Sequence, residues 1–351
     1  MSTESLQPAA SATVTTMRAA VAARFGGPEV VQVAEVPRPE PGPGELLVRV
    51  HASTVSIADH RVRSRDVPRG LGLAVGPVIG VFRPRKPVLG MEAAGVVERI
   101  GDGVTRFAPG DEVIVMRGAR MGCHAEFVVI DAEGDVAPKP ANLSFDEAAA
   151  IVFGGHTALR YLDVVAIGPG SRVLVNGASG AVGTAVVQLA SALGAHVTAV
   201  TSGRNAELVR SLGAREVVDY TRGDFAAVGR SDDRTGGRPD GPRYDVIVEC
   251  VGNAPFGRVA HLLRPGGALL LVIADLFGML LSGVQARRSG LVVDHRGAAM
   301  GRTGMERLAA LAESGALRPV IDRTFDLDEI VEAHRYVDTG RKRGSVVLRI
   351  G

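Results

Sequence analysis

The most regular pattern of apolar and polar positions lies in the middle of the chain. Residues 171–176 form a short apolar run rich in valine and leucine, which is typical of a strand buried on both faces. Residues 184–193 carry apolar side chains at helical spacing, and Gly194 follows where a helix commonly ends. A second apolar run covers residues 196–200. The pattern therefore predicts a βαβ unit.

Hydrophobic patterning divides the rest of the chain into two kinds of region. Residues 17–135 predict a β-rich region, with short runs of strand-forming residues between prolines and glycines at 30–36, 45–52, 93–100 and 112–116. After residue 143, predicted helices alternate with strands at 217–219, 245–249 and 268–273. This alternation favours an α/β fold with a doubly wound parallel sheet. The tail returns to short strands around a helix at 327–338, and we expect it to rejoin the first region.

Composition fits a soluble globular protein and argues against several other classes. The 351 residues are 46% hydrophobic and 22% charged, and the formal net charge is only +2. A charge so small gives no general attraction to nucleic acid or to an anionic membrane. Aromatic residues make up 4% of the chain, without tryptophan, which also argues against a base-stacking surface. We therefore expect no nucleic-acid partner.

Several segments of the sequence indicate where in the cell the protein is located. Residues 1–16 lack the basic and apolar regions of a signal peptide, so we interpret them as a disordered leader. The most apolar stretch, 268–284, is interrupted by Asp275 and Gly278, which argues against a membrane span. Residues 230–243 are polar and rich in glycine and proline, which predicts a mobile loop. Cys123 and Cys250 are too few for a four-cysteine zinc site or a disulfide framework. We therefore expect a cytoplasmic protein.

The glycines between the first predicted strand and helix indicate a phosphate site. Gly177, Gly180 and Gly183 are spaced three residues apart in this turn. Without side chains, the backbone N–H groups and the helix N-terminus can approach a pyrophosphate closely. Because the pattern lies between a predicted strand and a predicted helix, it predicts a dinucleotide-binding turn.

The end of the second strand indicates which dinucleotide binds. NAD sites usually carry an acidic residue there, whereas this chain has Ser202, Arg204 and Asn205 and no carboxylate before Glu207. Hydroxyl and guanidinium groups would bind a 2′-phosphate, which a carboxylate would repel. The sequence therefore favours NADPH over NADH. Tyr220, after the next strand, either stacks on the adenine or is a half-buried tyrosine at the strand end.

Long segments resemble the medium-chain dehydrogenase/reductase superfamily, in its zinc-free quinone oxidoreductase-like branch. They include GPGELLVRVHASTVSIADHRVR, RPRKPVLGMEAAGVVERIGDGVTRFAPGDEV, GGHTALRYL, NGASGAVG and LRPVIDRTFDLDEIVEAHRYVDTG. The resemblance implies a GroES-like β-rich domain at residues 17–142 and 303–351, and a Rossmann NADP-binding domain at residues 143–302. It also implies an active site between the domains and a homodimer formed through the edge of the Rossmann sheet.

Differences from the zinc alcohol dehydrogenases of the same superfamily indicate the chemistry. Their GHE motif corresponds here to Gly90, Met91 and Glu92, and no cysteine lies near Ser56. A thioether and a hydroxyl cannot replace imidazole and thiolate as zinc ligands. Without a Lewis acid, an alcohol hydroxyl is not acidified, whereas an electron-poor C=C bond or quinone needs no such help. We therefore expect no metal, and a small hydrophobic electrophilic substrate.

The resemblance also suggests site residues. The cofactor would contact Thr157, Gly177, Ser179, Gly180, Ala181, Val182, Gly183, Ser202, Arg204, Asn205, Tyr220, Val251, Ile273, Ala274, Arg341 and Lys342. Arg341 and Lys342 either close over the cofactor or form a solvated basic turn. Ser56 and Asp59 lie in the stretch that lines the cleft in relatives, so they are the catalytic candidates, although many relatives have asparagine at the position of Ser56.

Other residues allow two interpretations. His156 is adjacent to Thr157 and is a further candidate for a polar group in the cleft. His124 and Cys123 are neighbours in the sequence, but we expect a structural role because adjacent strand residues point to opposite faces. The apolar segments 71–82 and 276–281 either shape a hydrophobic substrate pocket or pack in the core.

These observations lead to one functional hypothesis and two alternatives. The hypothesis is an NADPH-dependent, zinc-independent oxidoreductase that transfers hydride to a quinone or an α,β-unsaturated carbonyl. The alternatives are a ketone reductase or alcohol dehydrogenase of the same superfamily, and a non-catalytic NADPH-binding protein.

Overall fold

The computed structural model describes residues 15–67, 70–72, 76–227 and 244–351. The predicted polar loop at 230–243 and residues 1–14 of the predicted leader lie outside the described residues. The first strand begins at Thr16, one residue after the described part of the chain starts.

The first half of the chain is β-rich. Its elements are β1 (Thr16–Ala22), β2 (Val31–Pro37), β3 (Glu45–Thr54), α1 (Ile57–Ser64), α2 (Gly76–Ile79), β4 (Glu92–Ile100), β5 (Glu112–Met116), β6 (Phe127–Asp131) and β7 (Val136–Pro138). β1 and β2 form an antiparallel pair, and β3 pairs antiparallel with both β4 and β6. Long strand β3 is almost wholly buried, which agrees with its run of apolar residues.

The middle of the chain alternates helices with strands. Its elements are α3 (Phe145–Leu162), β8 (Arg172–Asn176), α4 (Ala181–Ala192), β9 (His196–Thr201), α5 (Ala206–Ser211), β10 (Glu216–Asp219), β11 (Tyr244–Glu249), α6 (Phe256–Val259), β12 (Leu263–Leu271), α7 (Leu276–Ser289), β13 (Val292–Asp294) and α8 (Gly301–Glu313). The strands form one parallel sheet in the order β10-β9-β8-β11-β12-β13. This is the strand order of a doubly wound Rossmann sheet, which confirms the fold prediction for this region.

The tail returns to the first sheet. It contains β14 (Ile321–Asp326), α9 (Ile330–Asp338) and β15 (Ser345–Arg349). β15 pairs antiparallel with β3 and parallel with β14, so the sheet runs β14-β15-β3-β4-β5-β7. The Rossmann sheet is therefore an insertion between two parts of the same β-rich unit.

Helix α3 joins the two sheets through one continuous core. Ala94 and Ile114 of the first sheet share this core with Val152 of α3 and Val186 of α4. The contact between α3 and α4 is close, because a Cβ added to Gly154 would lie 2.4 Å from the carbonyl oxygen of Ala181. The first turn of α4 is therefore fixed against α3, and this turn borders the cleft described next.

Candidate active site

A cleft of about 780 Å³ lies between the two sheets, at the carboxyl ends of β8, β9, β11 and β12. Its other wall is formed by α1, α3, the end of α9 and the segment after it, through Ile57, Arg61, Phe153, Val337 and residues 340–342. The strand order reverses between β8 and β11. In open α/β sheets, such a reversal is where ligands bind.

The glycine turn after β8 forms the floor of the cleft. Gly177 has φ +81°, a left-handed conformation that glycine adopts without strain. A Cβ added to Gly183 would lie 2.2 Å from the carbonyl oxygen of Gly177, so this glycine lets α4 approach the strand. A Cβ added to Gly180 would meet only one atom, at 3.6 Å. The space next to Gly180 is thus open, and no side chain in the described part of the chain caps the start of α4. The N–H donors of this first turn are therefore left for an anion.

A hydrogen-bonded group of polar side chains lies beside this turn. The Ser179 hydroxyl accepts hydrogen bonds from Thr201 Oγ1 at 2.9 Å and from Asn205 Nδ2 at 3.0 Å. Asn205 is only 5% exposed, and its Oδ1 has no partner in the described part of the chain. A buried acceptor without a donor is costly, and a ribose hydroxyl would supply one. The site therefore fits the sugar of a nucleotide.

Arg204 and Tyr220 stand at the outer end of the cleft. Both line it and both are exposed, Tyr220 by 57%. Arg204 has no hydrogen bond or ion pair with any residue that the structure describes. Its guanidinium is free to pair with a phosphate.

A carboxylate that the sequence analysis missed lies close to this end. Asp219 ends β10 and pairs in register with Thr201 of β9. Its Oδ1 accepts hydrogen bonds from the Thr221 backbone at 2.9 Å and hydroxyl at 2.7 Å, and these bonds lower its pKa. β9 and the residues just after it contain no acidic side chain before Glu207, so the sequence of this strand alone predicts no carboxylate here. The parallel register of the neighbouring strand was the signal that could have found it.

A second polar network holds the point where the strand order reverses. Asn176 donates from Nδ2 to Glu249 Oε2 at 2.8 Å and to Asn253 Oδ1 at 2.7 Å. Glu249 is 1% exposed, and its Oε1 accepts the backbone N–H groups of Val251 and Gly252. The network therefore shapes the turn after β11, from which Val251 and Asn253 line the cleft. Of these residues, only Val251 was predicted from the sequence as a cofactor contact.

The tail closes the cleft from the opposite side. Gly344 forms a parallel bridge with Gly180, and its N–H donates to the Ser179 carbonyl at 2.8 Å. Arg341 and Lys342 line the cleft, and Lys342 Nζ donates to the Gly344 carbonyl at 2.6 Å. Burial lowers the pKa of Lys342 to about 8, although the charges of Asp322 and Glu92 partly oppose this shift.

Glu92 is a buried carboxyl group near this segment. It accepts a hydrogen bond from the Thr54 hydroxyl, and its backbone carbonyl accepts one from Ser53 Oγ at 2.6 Å. Burial raises the pKa of Glu92 well above its usual value, and the negative charge of Asp59 adds to this shift. Its Oε2 has no partner among the described residues. Glu92 does not line the cleft.

Ser56 and Asp59 form the N-terminal capping box of α1. The Ser56 hydroxyl accepts from the N–H groups of Ala58 and Asp59, and Asp59 Oδ2 accepts from the Ser56 backbone at 2.8 Å. Asp59 Oδ1 also accepts the N–H of Gly90 at 2.9 Å. Both side chains are buried, and neither lines the cleft. Their hydrogen bonds hold α1 against the turn before β4.

The other candidates fall inside or outside the cleft as follows. Fourteen of the sixteen proposed cofactor residues line it, namely Gly177, Ser179, Gly180, Ala181, Val182, Gly183, Ser202, Arg204, Asn205, Tyr220, Val251, Ile273, Arg341 and Lys342. Thr157 and Ala274 do not: Thr157 is half-buried on α3, one turn after Phe153, and Ala274 is buried in the Rossmann core. His156 is also outside the cleft, and burial lowers its pKa to about 4.

The Cys123–His124 pair lies in the β-rich core. Cys123 is buried there, and burial raises its pKa. His124 Nε2 hydrogen-bonds to the Thr54 carbonyl at 3.0 Å. The described residues contain no group of three or more His, Cys, Asp or Glu side chains placed to hold a metal ion.

The described residues of the two apolar segments do not line the cleft. Leu71 is buried, whereas Phe82 is almost fully exposed; residues 73–75 lie outside the described residues. Residues 276–281 belong to α7, where Phe277, Leu280 and Leu281 face outward. None of the helices in the described residues has the length and apolar character needed to cross a bilayer.

Comparison with known proteins agrees with this architecture. Residues 42–141 match the family model of the alcohol dehydrogenase GroES-like domain, and residues 212–348 match that of the zinc-binding dehydrogenase. The chain is 32% identical over 335 residues to an NAD(P)H oxidoreductase, the mitochondrial RTN4IP1 of Mus musculus, covering 88% of this chain and 82% of that protein. It is 31% identical over 338 residues to a quinone oxidoreductase of Pseudomonas aeruginosa, covering 93% and 97% of the two chains.

A solved structure shares the fold over nearly the whole chain. The quinone oxidoreductase of Pseudomonas syringae superposes with a TM-score of 0.77 at 26% identity, covering 96% of this chain and all of that one. The matched regions include both the GroES-like and the Rossmann parts, so the predicted fold class is confirmed. This chain is an oxidoreductase of the medium-chain dehydrogenase/reductase superfamily, and it belongs to the quinone oxidoreductase-like branch.

Proposed function

We propose that the protein is an NADPH-dependent, zinc-independent reductase of quinones or α,β-unsaturated carbonyls. The main support for this proposal is the group of polar side chains beside the glycine turn. Ser202, Arg204 and Asn205 line the same cleft as Gly180, next to which there is open space. Serine and arginine at this end of the cleft favour a phosphorylated ribose. The quinone oxidoreductase of Pseudomonas aeruginosa, similar over nearly the whole chain, supports the acceptor class.

The cofactor would lie along the carboxyl edge of the Rossmann sheet. Arg204, Ser202 and Asn205 would bind the 2′-phosphorylated ribose, with Tyr220 beside the adenine. The N–H groups at the start of α4 would bind the pyrophosphate, while Arg341 and Lys342 cover it from the tail. Val251 and Ile273 would border the nicotinamide half. When bound, NADPH supplies a hydride, so the acceptor needs only one further proton, which water can provide.

The acceptor would bind on the opposite wall. Ile57, Phe153 and Val337 give that part of the cleft an apolar lining, which suits a small hydrophobic electrophile and excludes water from the reacting atoms. We propose that Ser56 and Asp59 act by positioning α1, because their side chains are buried in its capping box. Thr157, one turn after Phe153 on α3, would support the acceptor wall, and Ala274, next to Ile273, would support the cofactor wall.

No metal ion is needed in this proposal. The positions that carry zinc ligands in alcohol dehydrogenases are occupied here by Ser56 and Met91, neither of which is a good zinc ligand. An acceptor that is already electron-poor does not require a Lewis acid.

The test is anaerobic oxidation of NADPH with a panel of quinones, enals, enones and simple ketones, followed by identification of the products. We expect turnover of quinones or enones that survives dialysis against EDTA. Activity on simple ketones that is lost with EDTA and restored by Zn²⁺ would instead indicate a metal-dependent alcohol dehydrogenase. Tight NADPH binding without turnover of any acceptor would indicate a non-catalytic NADPH-binding protein.

We also propose that the protein is a cytoplasmic homodimer. Both cysteines are free thiols, as expected in a reducing compartment. Strand β13 ends the Rossmann sheet, and α7 beside it exposes Phe277, Leu280 and Val284. A second copy placed edge to edge would cover these apolar side chains and pair the free strand edge.

A further inference from the structure

One cation in the cleft is not used by the proposed cofactor site. Arg61 lies on α1 four residues after Ile57, so the two side chains share one face of the helix, and both line the cleft. Arg61 is half-buried, and its guanidinium has no hydrogen bond or ion pair with any residue in the described ranges. Burial lowers its pKa, an effect that the charge of Asp66 partly opposes.

The orientation of Arg61 is fixed by the other face of α1. Arg63 is fully buried, and its NH2 group donates to both carboxylate oxygens of Asp338 at 2.7 and 2.6 Å. His60 Nδ1 lies 2.7 Å from the same carboxylate, and Arg63 NH1 donates to the Gly26 carbonyl at 3.0 Å. These contacts attach α1 to α9 and prevent it from turning. Arg61 is therefore directed at the cleft by the fold.

A second arginine in the cleft, Arg258, differs from Arg61 in having a counter-ion within the protein. Arg258 donates to Asp224 at 2.7 Å and to the Asn253 carbonyl at 2.6 Å, so its charge is balanced within the protein. Arg61 has only the nearby charge of Asp66 and no hydrogen-bonded counter-ion among the described residues. A partly desolvated guanidinium with unused donors favours an anion with two oxygen acceptors.

The position of Arg61 favours the acceptor over the cofactor as the source of that anion. The 2′-phosphate would be met by Arg204 and Ser202, and the pyrophosphate by the start of α4 and the basic tail. Arg61 comes from the other domain, and Ile57 and Phe153 of the same wall are apolar. Resting on the function proposed above, we propose that Arg61 is a specificity-determining residue that binds a carboxylate on the acceptor. The preferred substrate would be an apolar enone or quinone that carries an acidic group.

A matched pair of acceptors tests this inference. The probe is trans-3-benzoylacrylate, compared with its methyl ester, since both contain the same enone and differ in one charge. We expect Arg61→Gln to lower kcat/KM for the acid about ten- to a hundredfold, the range for a lost charged hydrogen bond, and to change the ester less than twofold. Arg61→Lys should fall between, because it keeps the charge and loses the planar fork. Arg24→Gln, an exposed arginine outside the cleft, is the matched control.

A binding measurement separates this inference from the proposed function. The saturated acid 3-benzoylpropionate has no C=C bond to reduce, and NADP⁺ carries no hydride for its ketone, so calorimetry on the NADP⁺-loaded protein reports acceptor binding alone. We expect Arg61→Gln to weaken it tenfold or more, while NADPH affinity, measured by fluorescence titration, stays within twofold of wild type. Equal losses for acid and ester, or weakened NADPH binding in Arg61→Gln, would overturn the role of Arg61. If the wild type reduces neither probe nor any quinone, the proposed function fails, and the calorimetry still decides whether Arg61 binds a carboxylate.

Discussion

Among the described residues of the proposed 2′-phosphate site, Arg204 is the side chain with a formal positive charge. It is exposed and unpaired within the described residues, so solvent screens it and reduces what one ion pair contributes. Asp219 on the neighbouring strand adds a negative charge near this end. Its Oδ1 already accepts two bonds from Thr221. The preference for NADPH should therefore be clear but moderate.

Replacing Arg204 tests this preference. We expect Arg204→Ala to raise the KM for NADPH about three- to tenfold and to leave the KM for NADH nearly unchanged, because only NADPH carries the 2′-phosphate. Steady-state kinetics with both cofactors measures the change. Arg210→Ala, an exposed arginine outside the cleft, should alter neither value. Equal weakening for both cofactors would mean that Arg204 has a structural role only.

Glu92 predicts an unusual dependence of stability on pH. Its pKa is raised in the folded protein, so between its ordinary value and the raised value the folded state keeps a proton that the unfolded state has lost. Unfolding then releases a proton, and this group makes the wild type less stable as pH rises. We expect Glu92→Gln to be more stable than the wild type above about pH 4.5, with a difference that grows toward neutral pH.

Denaturant unfolding from pH 4 to pH 8 measures this difference. Glu98→Gln provides a control of opposite sign, since the Arg49 hydrogen bond lowers the pKa of Glu98 and removing it should cost stability at neutral pH. A Glu92→Gln variant whose advantage does not change with pH would show that Glu92 ionises normally in the folded protein.

At the scale of elements, the turn after β11 is held by a buried hydrogen-bond network and also lines the cleft. Glu249 accepts the N–H groups of Val251 and Gly252, and it accepts a bond from Asn176 at the end of β8. Gly252 has φ +93°, so this turn has a specific shape. A single buried carboxylate therefore sets the outline of the cleft where the strand order reverses.

Disrupting this turn should affect both cofactors alike. In Glu249→Gln, an amide donor faces the Asn176 donor, and we expect NADPH and NADH to bind several-fold more weakly by the same factor. Fluorescence titration measures both affinities. Asp245→Asn, at the other end of the same strand and outside the cleft, should change stability without changing either affinity. Unchanged binding in Glu249→Gln would refute a positioning role for this network.

Local patterns predicted some elements well and could not predict others. The βαβ unit at 171–200 was readable because its strands are continuously apolar and its glycines have a specific conformational role. The pairing of β15 with β3 joins residues about three hundred positions apart, and no local pattern contains that information. Asp219 and Glu249 were missed for the same reason, since each acts across to a neighbouring strand. Arg61 was missed because one arginine on a short helix looks like a solvated surface residue.

At the scale of the whole molecule, the exposed apolar side chains on the outward face of α7 predict a homodimer. Phe277 and Leu280 are 66% and 67% exposed, beside the edge strand β13. We expect light scattering to show a dimer for the wild type and a monomer for Leu280→Glu, because the substitution would bury a charge in the interface. Leu193→Glu, an exposed leucine elsewhere, should remain dimeric. A wild-type monomer at micromolar concentration would refute the proposal.

The course of the chain also constrains the order in which the protein can form during synthesis. The strands of the parallel sheet all lie between Arg172 and Asp294, so that sheet can be completed while later residues are still being translated. The other sheet has β15 at an interior position, between β14 and β3, and β15 follows all the strands of the parallel sheet in the chain. Until Ser345–Arg349 has emerged from the ribosome, residues 52–54 at the end of β3 lack the pairing that β15 provides. The Rossmann sheet should therefore be complete on the ribosome before the β-rich sheet, which is completed only once β15 has emerged.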